Sequence, residues 1–168
     1  MNRVSIIIPT LNEATCLERT LRQLSILNPP AWEVLVVDGG SQDETVAIPY
    51  GIAALHALDS KTRVISSTTP GRSVQMNLGA EVATGEILCF LHADTLVPGD
   101  IVAVIQQTLS DAKIAGGGFI SLMAIDGLLL GANLRRSLSM LLLVFCGVLG
   151  FLRGISSNFM KTFAEDKL

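Results

Sequence analysis

Short apolar runs, each ended by a polar residue, alternate along the first two thirds of this chain with stretches in which apolar positions recur every three or four residues. Val4 to Ile8 is a β-branched run closed by Pro9-Thr10, which predicts a buried strand that stops where proline forbids a further ladder bond. From Ala14 to Leu27 the period changes. Leu17, Leu21 and Leu24 mark the buried stripe of a helix lying on a sheet, and Asn28-Pro29-Pro30 ends it. Glu33 to Val37 is a second strand, running into Asp38 and the turn Gly39-Gly40-Ser41. Ser41 to Glu44 has the spacing of a helix start, and the helix reaches about Leu58 if Pro49 and Gly51 are an interruption.

Arg63 to Ser66 is a third strand, and Gly71-Arg72-Ser73 leads into a helix over Val74 to Ala83 with Val74, Leu78 and Val82 on one face, stopped by Thr84-Gly85. The most telling stretch is Gly85 to Thr95. Its apolar run reads as a strand buried on both faces, and it ends abruptly in His92 and Asp94. Pro98-Gly99-Asp100 turns the chain into a helix over Ile101 to Ser110. Ile114 to Ile125 resembles another strand, and Gly116-Gly117-Gly118 lets backbone pass close to a neighbour. The alternation predicts an α/β fold with a mostly parallel sheet and helices on both faces.

From Gly127 onward the pattern degrades into leucine-rich sequence of no clear period, and Ser156 to Leu168 looks like a polar tail. The chain therefore divides into residues 1–125, a patterned domain, and 126–168, an atypical apolar segment and tail. Ser137 to Leu152 carries no charge, but it is shorter than the roughly 18 residues of a usual spanning helix and contains two glycines. Peripheral membrane contact through this segment is the expectation, rather than a span. The mean hydropathy of +0.53 reflects the same late excess.

At 168 residues the chain suits one domain with a real core. A net charge of -3 and 5% aromatic residues offer neither a basic face nor stacking platforms, which argues against nucleic acid as a partner. Cys16, Cys89 and Cys146 are odd in number, far apart and set among apolar residues, so neither a disulfide framework nor a metal-ligand spacing is present. No secretory signal precedes the first strand, and a reducing cytoplasm is the expected compartment.

The candidate chemistry lies where strands end. Thr10, Asn12 and Glu13 follow the first strand, Asp38 the second, and Asp94 the fourth, with Arg72 just before the third helix. Ligands of open α/β sheets bind beyond the carboxyl ends of the strands, so this set suits a nucleotide diphosphate held by acceptors, a cation and a divalent metal. Turn and cap roles compete for the same residues: Asp94 equally fits a turn, Glu13 and Asp43 fit helix caps, Arg72 a solvated charge and His92 a satisfied histidine under the sheet edge. Neither Gly-x-Gly-x-x-Gly after the first strand nor Gly-x-x-x-x-Gly-Lys-Ser/Thr occurs, which removes a dinucleotide or P-loop site.

Three stretches together carry a resemblance: Val4 to Glu13, Leu35 to Thr45 with Val37-Asp38-Gly39-Gly40-Ser41 at its centre, and Phe90 to Thr95. The chain resembles the family-2 glycosyltransferases of GT-A fold over about residues 3 to 120. Gly71-Arg72 through Asn77-Leu78-Gly79-Ala80 resembles their radical-SAM/selenodomain-associated branch. The resemblance implies transfer of a sugar from a nucleotide diphosphate to an unknown hydroxyl acceptor, inverting and dependent on Mn or Mg. It implies that Thr10, Glu13 and Asp38 surround the nucleoside, that Arg72 lies near the base or diphosphate, and that Pro9 and His92 complete the nucleotide-sugar set. Asp94 would be the metal-binding member of the family's Asp-x-Asp element, with His92 in place of its first aspartate. The acceptor-side half and its general base are not recognisable. Glu165-Asp166 is acidic but has no helix after it, and the loss of pattern after about Ile125 reads as truncation or a reading-frame change. The alternatives are a nucleotidyltransferase, for which Pro9 to Glu13 is a poor substitute for a glycine-rich basic loop, and a catalytically inactive nucleotide-binding remnant.

Overall fold

The computed structural model describes residues 2–53, 61–111, 113–120 and the strand 141–146. Expectations for the helix up to Leu58, for the strand beyond Ile120, and for the leucine-rich segment and tail other than 141–146 lie outside these residues.

The elements run β1 (Val4–Thr10), α1 (Ala14–Leu24), β2 (Glu33–Asp38), a short 3-10 turn (Glu44–Val46), α2 (Ala47–Ala53), β3 (Thr62–Ser66), α3 (Arg72–Val82), β4 (Ile87–Phe90), α4 (Ile101–Thr108), β5 (Gly116–Ile120) and β6 (Leu141–Cys146). They build one sheet in the order β3-β2-β1-β4-β6-β5. β1 pairs in parallel with β2 and β4, and β2 with β3, while β6 lies antiparallel between β4 and β5. The sheet is thus mostly parallel, with one reversed strand.

Alternation along β1 divides the core. Ile6 and Ile8 face one side, where Leu17, Leu21 and Leu24 of α1, Ile52 of α2, and Ile101, Val102 and Ile105 of α4 cover them. Ile7 faces the other, with Leu35, Val37, Leu88 and Phe90, under Met76, Leu78, Ala80 and Val82 of α3. Both faces are covered, so β1 and β2 read as continuous apolar runs.

Several local expectations are corrected. β1 does not stop at Pro9: that residue pairs with Val37 in register. Ile7 faces β4, since its carbonyl accepts from Leu91 N at 2.9 Å, and Pro9, two residues on, faces the same way. Its missing N–H therefore points where β4 has already ended at Phe90, and little is lost. Pro49 and Gly51 do not interrupt α2. Pro49 lies in the first turn, where no intrahelical partner for its N–H exists anyway. The helix start is capped by Asp43, whose side chain accepts from Thr45 N, and not by Ser41. α3 begins at Arg72, its buried positions are Gln75 and Gly79, and Val74 is exposed. Gly79 permits a close approach: a Cβ there would stand 2.4 Å from Ile7 Cγ2 and 3.1 Å from Val37 Cγ2. Gly116 to Gly118 lie within β5, and a Cβ on Gly117 would meet nothing within 4 Å among the described residues.

Candidate functional site

Polar loops follow β1, β2 and β4 on the same edge of the sheet, and side chains sew them together. Asn12, at φ 56°, accepts from Gln42 N through Oδ1 at 2.9 Å, and its own N–H donates to Ser41 Oγ at 2.9 Å. Glu13 N donates to Thr45 Oγ1 at 2.8 Å, and Ala14 N to Asp43 Oδ2 at 3.1 Å. The β1 and β2 loops are thereby one platform, made by short polar residues that bond backbone readily.

Asp38 is 4% exposed and closes its own turn. Its carboxylate accepts from Gly40 N at 2.9 Å, from Ser41 N at 3.0 Å and from the Ser41 hydroxyl. Thr10 is buried as well, with its hydroxyl directed to Val37 O at 3.3 Å. Pro9 is half-buried within β1. These three residues shape the strand ends on which the loops stand.

The third loop carries His92, Ala93 and Asp94, and α1 holds it. Thr20, on the buried stripe of α1, donates through Oγ1 to Ala93 O at 2.6 Å. Arg19 reaches Asp94 O at 3.3 Å. Gln23 grips the loop further on, donating to Val97 O and accepting from Val97 N at 3.1 Å. With Ala93 buried, His92 stays half-buried and Asp94 is exposed. The Asp94 carboxylate receives Thr95 Oγ1 at 3.3 Å.

Glu13 shows how these pieces face one another. Burial pushes its carboxyl above the usual range, the charges of Asp94 and Asp43 push it further, and Arg72 opposes them. Charges from two other segments, Asp94 and Arg72, therefore reach Glu13. Asp43 belongs to the scaffold: its carboxylate serves the Thr45 hydroxyl and amide and Ala14 N, and these bonds hold it below the usual range. Of the two residues for which capping competed with ligand contact, Asp43 is the cap, and the Glu13 side chain makes no cap bond.

Other residues matter that the sequence pattern did not mark. Gln75 is 3% exposed and donates through Nε2 to Thr10 O and to Val37 O, each at 2.7 Å. Thr20 and Gln23 fix the Asp94 loop, and Ser41 and Thr45 join the other two. The usable signal was a polar residue on an otherwise apolar helix face, as with Thr20 beside Leu17, Leu21 and Leu24.

Among the described residues no three His, Cys, Asp or Glu side chains converge into a cage. Also among the described residues, no helix is long and apolar enough to cross a membrane.

Comparison with known proteins agrees with this fold. A mannosyltransferase from Pyrobaculum calidifontis, solved with GDP-Man and Mn2+, is 30% identical and covers 72% of this chain and 36% of its own length, with a TM-score of 0.67. Staphylococcus aureus TarS 1-349, solved with UDP, superposes over 91% of this chain and 48% of its own at a TM-score of 0.67 and 17% identity, a likeness of fold alone. The fold is GT-A. Among curated proteins, a PGL/p-HBAD biosynthesis glycosyltransferase of Mycobacterium bovis is 40% identical over 110 residues, 64% of this chain, and the match spans 41% of that relative's length. The glycosyltransferase AglE of Haloferax volcanii is 38% identical over 93 residues, 54% of this chain and 30% of its own. The family model for glycosyl transferase family 2 matches residues 5–121, and the chain belongs to that family.

Proposed function

We propose that this chain binds a nucleotide-diphosphate sugar at the carboxyl edge of β1, β2 and β4 and serves its transfer, with inversion, to a hydroxyl acceptor. The observation that carries this reading is the set of loops after β1, β2 and β4 at one end of the sheet, cross-bonded by Asn12, Asp43, Thr45, Thr20 and Gln23, with the charges of Asp94 and Arg72 both acting on Glu13. The Pyrobaculum relative, solved with GDP-Man and Mn2+, supports a nucleotide sugar and a divalent ion.

Arg72 opens α3, so guanidinium and helix N-terminus both favour an anion there; it would pair with diphosphate oxygens through charge-assisted bonds. Asp94 would hold Mn or Mg, with half-buried His92 beside it donating or accepting a hydrogen bond. When bound, the ion would neutralise charge on the departing nucleoside diphosphate. Glu13, with its raised pKa, is suited to accept or share a hydrogen bond from a donor hydroxyl. The loops, locked before ligand arrives, lose little further freedom on binding. The base that takes the acceptor's proton is assigned to none of the described residues.

Calorimetric titration with UDP and with GDP, with and without Mn2+, tests the reading. The expected result is binding of at least one nucleotide that strengthens with the ion. Failure of both to bind in either condition would sink it.

A further inference from the structure

We propose that Gln75 is a positioning residue: its carboxamide clamps the carboxyl ends of β1 and β2 together and sets the height of Arg72 above them. This rests on the donor-site reading given above.

The geometry is specific. Thr10 is the last residue of β1 and Val37 the last but one of β2, and the two hydrogens of Gln75 Nε2 go one to each carbonyl, at 2.7 Å. A primary amide is suited to this, since it alone among neutral side chains offers two donors on one nitrogen. Thr10 O also accepts from Gly39 N at 2.9 Å, the bond that opens the Asp38 turn, so the clamp sits on the hinge between strand and loop. Gly39 leaves room for it: a Cβ at that position would stand 3.1 Å from the Gln75 carboxamide atoms. One turn further along α3, Gly79 presses the helix against Ile7 and Val37. Gly71, at φ 142°, accepts Gln75 N at 3.0 Å through its carbonyl and starts the turn that carries Arg72. Gly79 sets how closely α3 lies on the sheet, and the buried Gln75 ties the start of the same helix, where Arg72 stands, to the two strand ends. A purely apolar residue there would leave Thr10 O with Gly39 N alone and Val37 O with the long bond from the Thr10 hydroxyl, removing the tie between helix and strand ends.

The test uses the full chain carrying Gln75→Met, which keeps volume and removes both donors, beside Ser5→Ala, which removes a buried hydroxyl bonded to Glu33 and Gly85 at the opposite edge. Amide exchange at Gly39 should quicken about tenfold in Gln75→Met and stay unchanged in Ser5→Ala. UDP or GDP binding with Mn2+ should weaken about tenfold in Gln75→Met, and not in Ser5→Ala. If Gln75→Met does not fold, Gly39→Ala crowds the same carboxamide and should weaken binding in the same direction. Unchanged Gly39 exchange in the Gln75→Met variant overturns the clamp while leaving the donor-site reading intact. Equal loss of binding in both variants makes Gln75 a stability residue only, and overturns it too. If the parent binds neither nucleotide, the donor-site reading falls and takes the positioning role with it, whereas the exchange result still judges the clamp.

Discussion

The two edges of this sheet hold carboxylates in opposite conditions. At the amino edge, Glu33 is 6% exposed and saturated: Ser5 Oγ at 2.7 Å, Thr84 N at 2.6 Å, Thr84 Oγ1 at 2.9 Å and the Arg63 guanidinium at 2.8 Å all donate to it. Burial alone would raise its pKa, but these donors outweigh it and the net shift is downward. At the carboxyl edge, Glu13 is raised by burial and by Asp94, with Arg72 opposing. The first arrangement stabilises a fold; the second leaves a carboxylate disfavoured by burial and by the charge of Asp94, as suits the proposed ligand site. Around Glu33, Trp32 Nε1 donates to Thr84 Oγ1 and Arg3 stacks over the Trp32 ring, closing the amino edge further.

The sharpest way to break this contrast is Glu33→Ala. It leaves the Ser5 and Thr84 donors without their acceptor, and we expect a loss of about 3 kcal/mol in urea unfolding. Nucleotide binding by the fraction that remains folded should not change. A loss below about 1 kcal/mol would mean the amino edge is not the structural one.

Asp94→Ala asks the converse question. The residue is exposed, and among the described residues its carboxylate bonds only Thr95, so stability should change by less than about 0.5 kcal/mol, while Mn2+-dependent nucleotide binding weakens about a hundredfold. Calorimetry of the variant with and without the ion decides it. Parent-like binding would return Asp94 to a turn residue. Arg72→Ala should weaken UDP or GDP by about tenfold and uridine or guanosine much less, because the charge-assisted bonds go to phosphate. Equal losses on nucleotide and nucleoside would place the guanidinium on the base instead.

Most of the fold was legible because apolar period reports burial directly. The runs at Val4, Val34 and Ile87 had to be strands covered on both faces, and the stripe of Leu17, Leu21 and Leu24 had to lie on them. The edge of the sheet at which the candidate residues lie followed from where those runs end, and the charges of Asp94 and Arg72 both act on Glu13 there. What the pattern could not give was the division of labour among polar residues. Asp38 and Asp43 look alike by type, yet Asp38 bonds the turn that follows it, whereas Asp43 caps the next helical turn and also accepts from Ala14 N across the loops. Gln75 looks like a solvated helix residue, and only the depth to which Gly79 lets α3 sink makes it a buried donor. Local sequence carries no signal for such long-range bonds.

The smallest expected effect tests the contrast most directly. Glu13→Gln keeps shape and hydrogen-bonding reach but removes the charge that burial and Asp94 disfavour. A carboxyl whose folded pKa is raised contributes stability that is fully present below its ordinary value near 4.5 and lost as pH rises through the raised value. At neutral pH the wild-type glutamate is therefore a net burden on the fold, and Glu13→Gln should unfold later by about 0.5 kcal/mol, a small figure because solvent screens a half-buried group. Glu33 has the opposite sign: its contribution is fully present above the ordinary value of 4.5 and lost as pH falls through its lowered one. Urea midpoints of the parent, Glu13→Gln and Glu33→Gln across pH 3 to 7 should thus diverge in opposite directions as pH rises, the Glu13→Gln variant gaining on the parent and the Glu33→Gln variant losing ground. Binding of UDP or GDP should weaken in Glu13→Gln alone. If that variant is less stable than the parent at pH 7, Glu13 is a structural carboxylate like Glu33, and the distinction between the two edges fails at its most exposed point.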